Sequence, residues 1–460
     1  MKIQLLRNAK WPMAALALAA ALGAAAGAER SPEELKAGFK QAYAALDTRA
    51  MEAALEELDA RWADHPLRSR LTYELGRLDG YASFSEFSLM REEAHRAEQV
   101  YKQFLPGGPF AASPEAPMAR VEYAWHLLKT GWPEQSRSLY NALAHEEDPR
   151  AFTMAVRDVA QHFELEADPP LLDLWLRRAE AMAEKVKALP AQNQGDLPKL
   201  LERPLHQLRA QSRGKAQVYL LLERGERAAR RARIAVDCGD HARAVEEFRK
   251  ADPLLTEWLS KPHKGGEAEE LNARLTLAQA KSWERDPKAA RTLLDDVLAR
   301  PQAWLLGPEP QRYGAALMWS IGTDRLLGRL RLEEEEARLA DLAASGRLDV
   351  HHLQAVLKRL AAVAQERGDL RGQRACLHDM MDALPDPAMA LKARRALERF
   401  DREHPEAQGL SAGQISPLMG RLIEAGMVQP HPGAGRALIV PLGAEEDSRR
   451  PSFQWLQEAP

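Results

Sequence analysis

Five arginines stand between positions 224 and 233: Arg224, Arg227, Arg230, Arg231 and Arg233. Side chains three and four apart share a helix face, so Arg227, Arg230 and Arg231 are expected to form a positive stripe able to receive an acidic peptide or an anionic surface. Glu223 and Glu226 interleave with them, and an ordinary salt-bridged face is the plainer reading of the same run. His351 and His352 are adjacent, and neighbours on a helix point about 100° apart, so the pair is not expected to hold one metal ion. The run Glu333 to Glu336 lies beside Arg329 and Arg331 and reads as a solvated face rather than as an acid and its base. No GxxxxGK[ST] loop, HExxH, GxSxG or EF-hand loop occurs. Two cysteines, Cys238 and Cys376, are too few for a cysteine-rich zinc site. Far apart in an array whose units touch only neighbours, they are expected to be two buried free thiols. These residues imply recognition rather than catalysis, with no cofactor and no metal.

The elements that would position them are helices. Aromatic residues make up 6% of the chain while Ala, Leu, Glu and Arg recur throughout, a mixture that favours helix over strand. Charge is nearly balanced, with 64 basic and 67 acidic side chains, which argues against a dedicated polyanion binder. Lys2, Arg7 and Lys10 precede an apolar run from Trp11 to Ala26, and Ala26-Gly27-Ala28 supplies a small-residue cleavage pattern. That is the plan of a secretory signal peptide over residues 1–28, with an uncleaved membrane anchor as the alternative. Pro and Gly clusters at Leu105 to Pro117, Leu189 to Lys199, Ser260 to Glu270 and Leu305 to Gly314 break the helical pattern.

A repeat runs through the helices. In "AVDCGDHARAVEEFRKADP", Ala232 and Ala235 offer a narrow face, Gly239-Asp240 makes a turn, and Ala244, Phe248 and Ala251 lie on one side of the next helix. The same spacing starts again at Ala42, with Ala45, a turn expected at Arg49, Ala54 and Leu58, and at Ala124, with Leu127, Gly131, Ser136 and Tyr140. It recurs at Ala361, with Ala364, Gly368, Gln373 and Leu377, and faintly at Ala278, where Lys281 and Arg285 break the pattern. Prolines 66, 149, 253, 301 and 385 follow the units and are expected to close them.

This arrangement resembles a degenerate tetratricopeptide repeat. The resemblance implies an all-α fold, an antiparallel helix-pair solenoid over residues 29–385, whose inner helices line an elongated groove. Carried over unit by unit, the groove position is Tyr43, Trp125, Arg233 and Gln279, expected to bind a peptide or protein partner. Tyr43 and Trp125 also suit packing between repeats.

Residues 386–443 read as a small helical module ending in a β-hairpin, and 444–460 as a tail. Met389 to His404 is a helix, Leu410 to Gln414 carries a capping pattern, Ser416-Pro417 starts a further helix and Gly426 ends it. Met427 to Gln429 and Ala437 to Leu442 are expected to pair. "LIEAGMVQPHPGAGRALIVPL" is similar to the recognition-helix end and wing of winged helix regulators. That resemblance implies DNA binding, yet the helix carries only Arg421, the wing His431 and Arg436, and Glu445, Glu446 and Asp447 follow. The expected role is therefore an exported, non-enzymatic scaffold for a protein or peptide partner, without nucleic acid or a small-molecule substrate. The alternative is a membrane-anchored regulator with a C-terminal nucleic-acid-binding module.

Overall fold

The computed structural model describes residues 30–45, 47–83, 91–163, 165–190, 194–213, 217–261, 266–301, 312–345, 348, 350–383, 387–407, 418, 421–422, 428–430 and 437–439. The first half holds α1 (Pro32–Ala45), α2 (Thr48–Arg61), α3 (Leu67–Ser83), α4 (Arg91–Lys102), α5 (Ala116–Lys129), α6 (Pro133–Leu143), α7 (Pro149–His162), α8 (Pro169–Lys187) and α9 (Leu197–Arg213). The second holds α10 (Gln217–Asp237), α11 (His241–Ser260), α12 (Glu267–Trp283), α13 (Pro287–Leu298), α14 (Arg312–Leu326), α15 (Leu332–Ala343), α16 (Val350–Glu366), α17 (Leu370–Ala383) and α18 (Pro387–Glu403). Strands β1 (Val428–Pro430) and β2 (Ala437–Ile439) pair antiparallel, Val428 opposite Ile439, and β2 lies against α17. The expected signal peptide, the 410–417 capping segment, Gly426, the residues between the strands and the tail fall outside the described residues.

The chain is an all-helical repeat because one local device recurs. In six turns the N–H of one residue donates to the carbonyl five residues back: Asp47 to Ala42, Trp132 to Leu127, Asp240 to Ala235, Asp286 to Lys281, Arg329 to Asp324 and Asp369 to Ala364, all at 2.8–2.9 Å. This is the helix-ending bond of the Schellman motif, which puts a residue with positive φ just before the donor. Gly131, Gly239, Gly328 and Gly368 fill that place at φ 69–90°, and Arg285 fills it at φ 64°. Asp47, Asp240, Asp286 and Asp369 then turn around and cap the following helix, accepting from the backbone N–H groups of Ala50, Arg243, Ala289 and Gly372 at 2.9–3.1 Å. One aspartate thus closes one helix with its backbone and opens the next with its side chain.

Above each turn the small and large repeat positions meet. Ala42, Ala54 and Leu58 are buried, as are Ala124, Ser136 and Tyr140, then Ala232, Ala244 and Phe248, then Ala278, Ala290 and Leu294, and finally Ala361 and Leu377. The Ser136 hydroxyl donates to the Ala124 carbonyl at 2.7 Å, a direct contact between the two small positions of one unit. Gln373, where the pattern departs, is half-buried.

Four expectations need correction. The turn expected at Arg49 falls at Asp47 instead, and Arg49 lies in the first turn of α2. Pro253 does not close its unit: it sits inside α11, which runs on to Ser260 because Leu255 and Trp258 continue the buried face. Pro149 opens α7 rather than closing α6, at a helix start where a missing N–H costs nothing. The run Glu333 to Glu336 is not wholly solvated: Glu335 is fully buried and takes a two-pronged bond from Arg359 at 2.7 and 3.0 Å.

The array also returns to its start. α18 shares one core with α16 and α17 through Ala393, Leu397 and Phe400. Its Leu391 packs into the cluster formed by α1, α2 and α3. Arg395 of α18 donates to Asp79 of α3 at 3.0 Å, across 316 residues of sequence. Among the described residues no helix is long and apolar enough to cross a membrane.

Candidate functional site

The α10–α11 unit packs against α5 and α7 as well as against α12. Arg230 of α10 donates to the Gln161 carbonyl of α7 at 3.0 Å, and the Cys238 thiol donates to the Lys129 carbonyl of α5 at 2.9 Å. Between them opens a cleft of about 440 Å³, within the range of ligand-binding clefts.

The floor of this cleft is apolar. Leu128 of α5, Phe163 beyond α7, and Ile234 and Ala235 of α10 line it and are each less than a tenth exposed. The rim is charged and divides into two kinds. Arg231 and Lys250 are engaged, donating to the Glu247 carboxylate at 2.7 and 2.8 Å. Burial alone would raise the Glu247 carboxyl, but these two cations hold it below its ordinary value. Arg137 of α6 and Arg243 of α11 differ: among the described residues neither has a carboxylate within ion-pair distance. Arg137 lies over the Phe163 ring, 5.7 Å from its centroid, which fixes the guanidinium at the apolar floor.

His162 closes the back of the cleft. It is 8% exposed, its ring lies 5.2 Å from that of Trp125, and among the described residues its Nδ1 has no hydrogen-bond partner. Burial pushes its pKa well below the usual histidine value, and Arg230, Lys129, Arg157 and Arg231 push the same way. The imidazole is therefore neutral, and of the cations beside it Arg230 is tied to Glu226 and Arg231 to Glu247.

The structure brings some of the sequence-predicted residues together and scatters others. Trp125, Arg230 and Arg231 gather around His162. Arg233 and Gln279 pair with each other instead, at 2.8 and 3.1 Å, where α10 meets α12. Tyr43 is 1% exposed in the α1–α2 core and offers no surface to a partner. The expected positive stripe is also corrected, because Arg227 is fully buried and Arg230 is tied to Glu226 at 2.8 Å. The face that Arg227 shares with Ala228 and Ala232 turns inward, and the repeat's small-residue face outranks the charge pattern there. Sequence reasoning missed Arg137 and Arg243. Arg137 follows the repeat residue Ser136 whereas Arg243 precedes Ala244, so the two occupy different places in their units and no repeat signal joins them.

Both cysteines are free, and they are half-buried rather than buried. Cys238 lines the cleft, whereas Cys376 sits against the C-terminal core, where burial pushes its thiol up to about 12. Among the described residues no group of three or more His, Cys, Asp or Glu side chains is placed to hold a metal ion.

No protein-family model matches the chain, and no curated protein matches it. Among solved structures, it is similar to a circular tandem repeat protein with novel repeat topology and enhanced subunit contact surfaces. The two are 14% identical over 85% of this chain and 96% of that one, with a TM-score of 0.18. A likeness at that score decides nothing about role.

Proposed function

We propose that this chain is an exported, non-catalytic helical repeat scaffold that holds a peptide or protein partner in the cleft between α5–α7 and α10–α11. The observation that carries this reading is the cleft itself: an apolar floor rimmed by two arginines, Arg137 and Arg243, that no carboxylate of the described chain neutralises. A cleft framed by capped, core-packed helices loses little entropy when filled, which favours recognition of an extended segment. The six related turns support an antiparallel helix pairing of the tetratricopeptide kind, carried by alanines and glycines in a degenerate array. Export rests on the charged, apolar and small-residue pattern of positions 1–28.

The β1–β2 pair supports the reading of residues 386–443 as a hairpin-bearing module held to the array. Arg421, the basic residue expected to read DNA, is bound to Asp341 of α15 at 2.6 Å, which favours a structural role for this segment over nucleic-acid binding.

A photo-reactive residue in place of Glu134, in the cleft, tests the partner reading against the same residue in place of Leu326, which is 64% exposed on α14. A single protein adduct at position 134 and none at 326 is the expected result. Adducts at 326 alone would place binding elsewhere. Mass spectrometry of the mature chain tests export, with Glu29 expected as the first residue; an intact Met1 start would sink it.

A further inference from the structure

We infer that the cleft recognises an acidic segment of its partner, an extended peptide that places carboxylates on both sides of a bulky apolar side chain, with Arg137 and Arg243 as the specificity-determining cations. The inference rests on the binding role proposed above and deepens it. Arg137 and Arg243 approach from different helices, α6 and α11, so a ligand that satisfied both would span the cleft rather than sit on one wall.

Three observations fix the chemistry of that ligand. The first is the charge imbalance: Glu247 is already shared between Arg231 and Lys250, and Asp240 is occupied as the cap of α11, accepting from the backbone of Arg243 at 3.0 Å. Glu134 lines the cleft as well, so three carboxylates face four cations, Arg137, Arg231, Arg243 and Lys250, and among the described residues Arg137 and Arg243 have no carboxylate within ion-pair distance. The second is His162, more than nine-tenths buried with Nδ1 unpartnered and the ring held neutral by burial and by surrounding cations. The neutral ring adds no charge of its own, so the cations of the rim decide the sign of the ligand's charge. The third is the apolar floor between the arginines, Leu128, Phe163 and Ile234, which a free inorganic anion or a short dicarboxylate would leave wet and an apolar side chain would cover. Arg137, stacked on Phe163, already joins floor and rim, since a side chain laid on that ring brings its neighbouring carboxylate to the guanidinium. Trp132, 56% exposed beside Gly131 and Pro133 at the rim, extends the apolar surface outward and provides an optical reporter.

Calorimetric titration of the full chain with the capped hexapeptide acetyl-Glu-Glu-Leu-Phe-Glu-Glu-amide tests this, with Trp132 fluorescence as a second reading. Binding is expected to weaken at least tenfold in Arg137→Gln/Arg243→Gln, and at least tenfold when every glutamate of the peptide is replaced by glutamine. A double variant Arg137→Glu/Arg243→Glu is expected to reverse the preference toward a peptide with lysines in place of the glutamates, which a merely unfolded variant would not do. Equal binding of the glutamate and glutamine peptides, or unchanged affinity in the arginine variants, would overturn the inference. Displacement of the peptide by free glutarate at equal concentration would overturn it too, because the apolar floor would then contribute nothing. An adduct at position 134 combined with indifference to peptide charge would remove this inference while leaving the binding role intact.

Discussion

At the seam between α3 and α18, and at the cleft between α5–α7 and α10–α11, helices distant in sequence meet over charged side chains, and the charges are handled in opposite ways. In and beside the seam they are sealed and matched. Asp79, 1% exposed, receives Arg395 at 3.0 Å and Arg96 at 3.6 Å, while Arg77 lies between Glu74 at 3.6 Å and Glu122 at 3.7 Å. Burial raises the Glu74 carboxyl, and Arg77 with Arg70 opposes that rise. At the cleft the Glu247 carboxylate is matched by Arg231 and Lys250, whereas half-buried Arg137 and Arg243 have no carboxylate within ion-pair distance among the described residues. A charge removed from water must be compensated within the fold, whereas a hydrated cation on a rim can wait for a ligand. The seam's charges are therefore closed within the fold, while Arg137 and Arg243 at the cleft are left outside such pairs among the described residues.

The largest expected effect tests the seam. Replacing Arg395 by Met leaves Asp79 buried with its closest cation gone and should cost about 3 kcal/mol or more in urea unfolding, since removing one partner of a buried pair strands the other. Replacing both, as Asp79→Leu/Arg395→Met, should cost less than the single change. If the single variant unfolds like the wild type, the seam is not sealed.

A pH titration of stability comes next, because two buried neutral histidines lie on the helices that frame the cleft. His126, on α5 against Ala94 of α4, is pushed down by burial from 6.5 to about 4, and His162 in the cleft is pushed down as well. The fold favours the neutral ring, so the unfolded chain takes up the proton first. This contribution is complete above about pH 6.5 and is lost as the pH falls toward 4. For His126 alone it amounts to roughly 3 kcal/mol. Unfolding midpoints measured between pH 7 and 4 should fall accordingly, and His126→Gln should flatten the slope; a flat wild-type profile would contradict the burial of these rings.

The turns give a smaller effect with a sign. Gly239→Ala should destabilise by about 1 kcal/mol, because no atom lies near the added Cβ and only the positive φ resists it. Arg285→Gly, at the same place in its own unit, should stabilise by up to about 1 kcal/mol. Thermal unfolding of the two variants decides whether the units obey one rule. The smallest effect belongs to the cleft: Arg137→Gln and Arg243→Gln should each change unfolding free energy by less than about 0.5 kcal/mol, since neither side chain holds the fold together. A large loss in either would make the cleft a second seam.

Much of this was legible before the helices were placed. Gly131, Gly239 and Gly368 marked true turns because positive φ leaves glycine as the least strained choice, and the alanines beside them marked close helix contacts. The ending of α14 was harder to see: Gly328 stands in the turn, but no alanine recurs at the expected distance from it. Pro253 misled because a strongly packed helix can carry a proline through its middle. Of the residues expected to bind a partner, Arg231 was visible in its charged run, while Arg227 was misread, since a period of three and four marks a shared face without saying whether it points outward. Arg137 and Arg243 were illegible as a pair. They come from separate repeat units, and only the packing of α10 and α11 back onto α5 and α7 brings them to one rim.

That return of α18 onto α3 also bears on how the chain can come apart. An open stack of repeats sheds its outermost units first, because each end has one neighbour fewer than the middle. Here the last described helix shares Leu391 with the first three, so neither end is left with a bare flank. Fraying has no natural starting point, and amide exchange in α1 and α18 should be as slow as in the central helices.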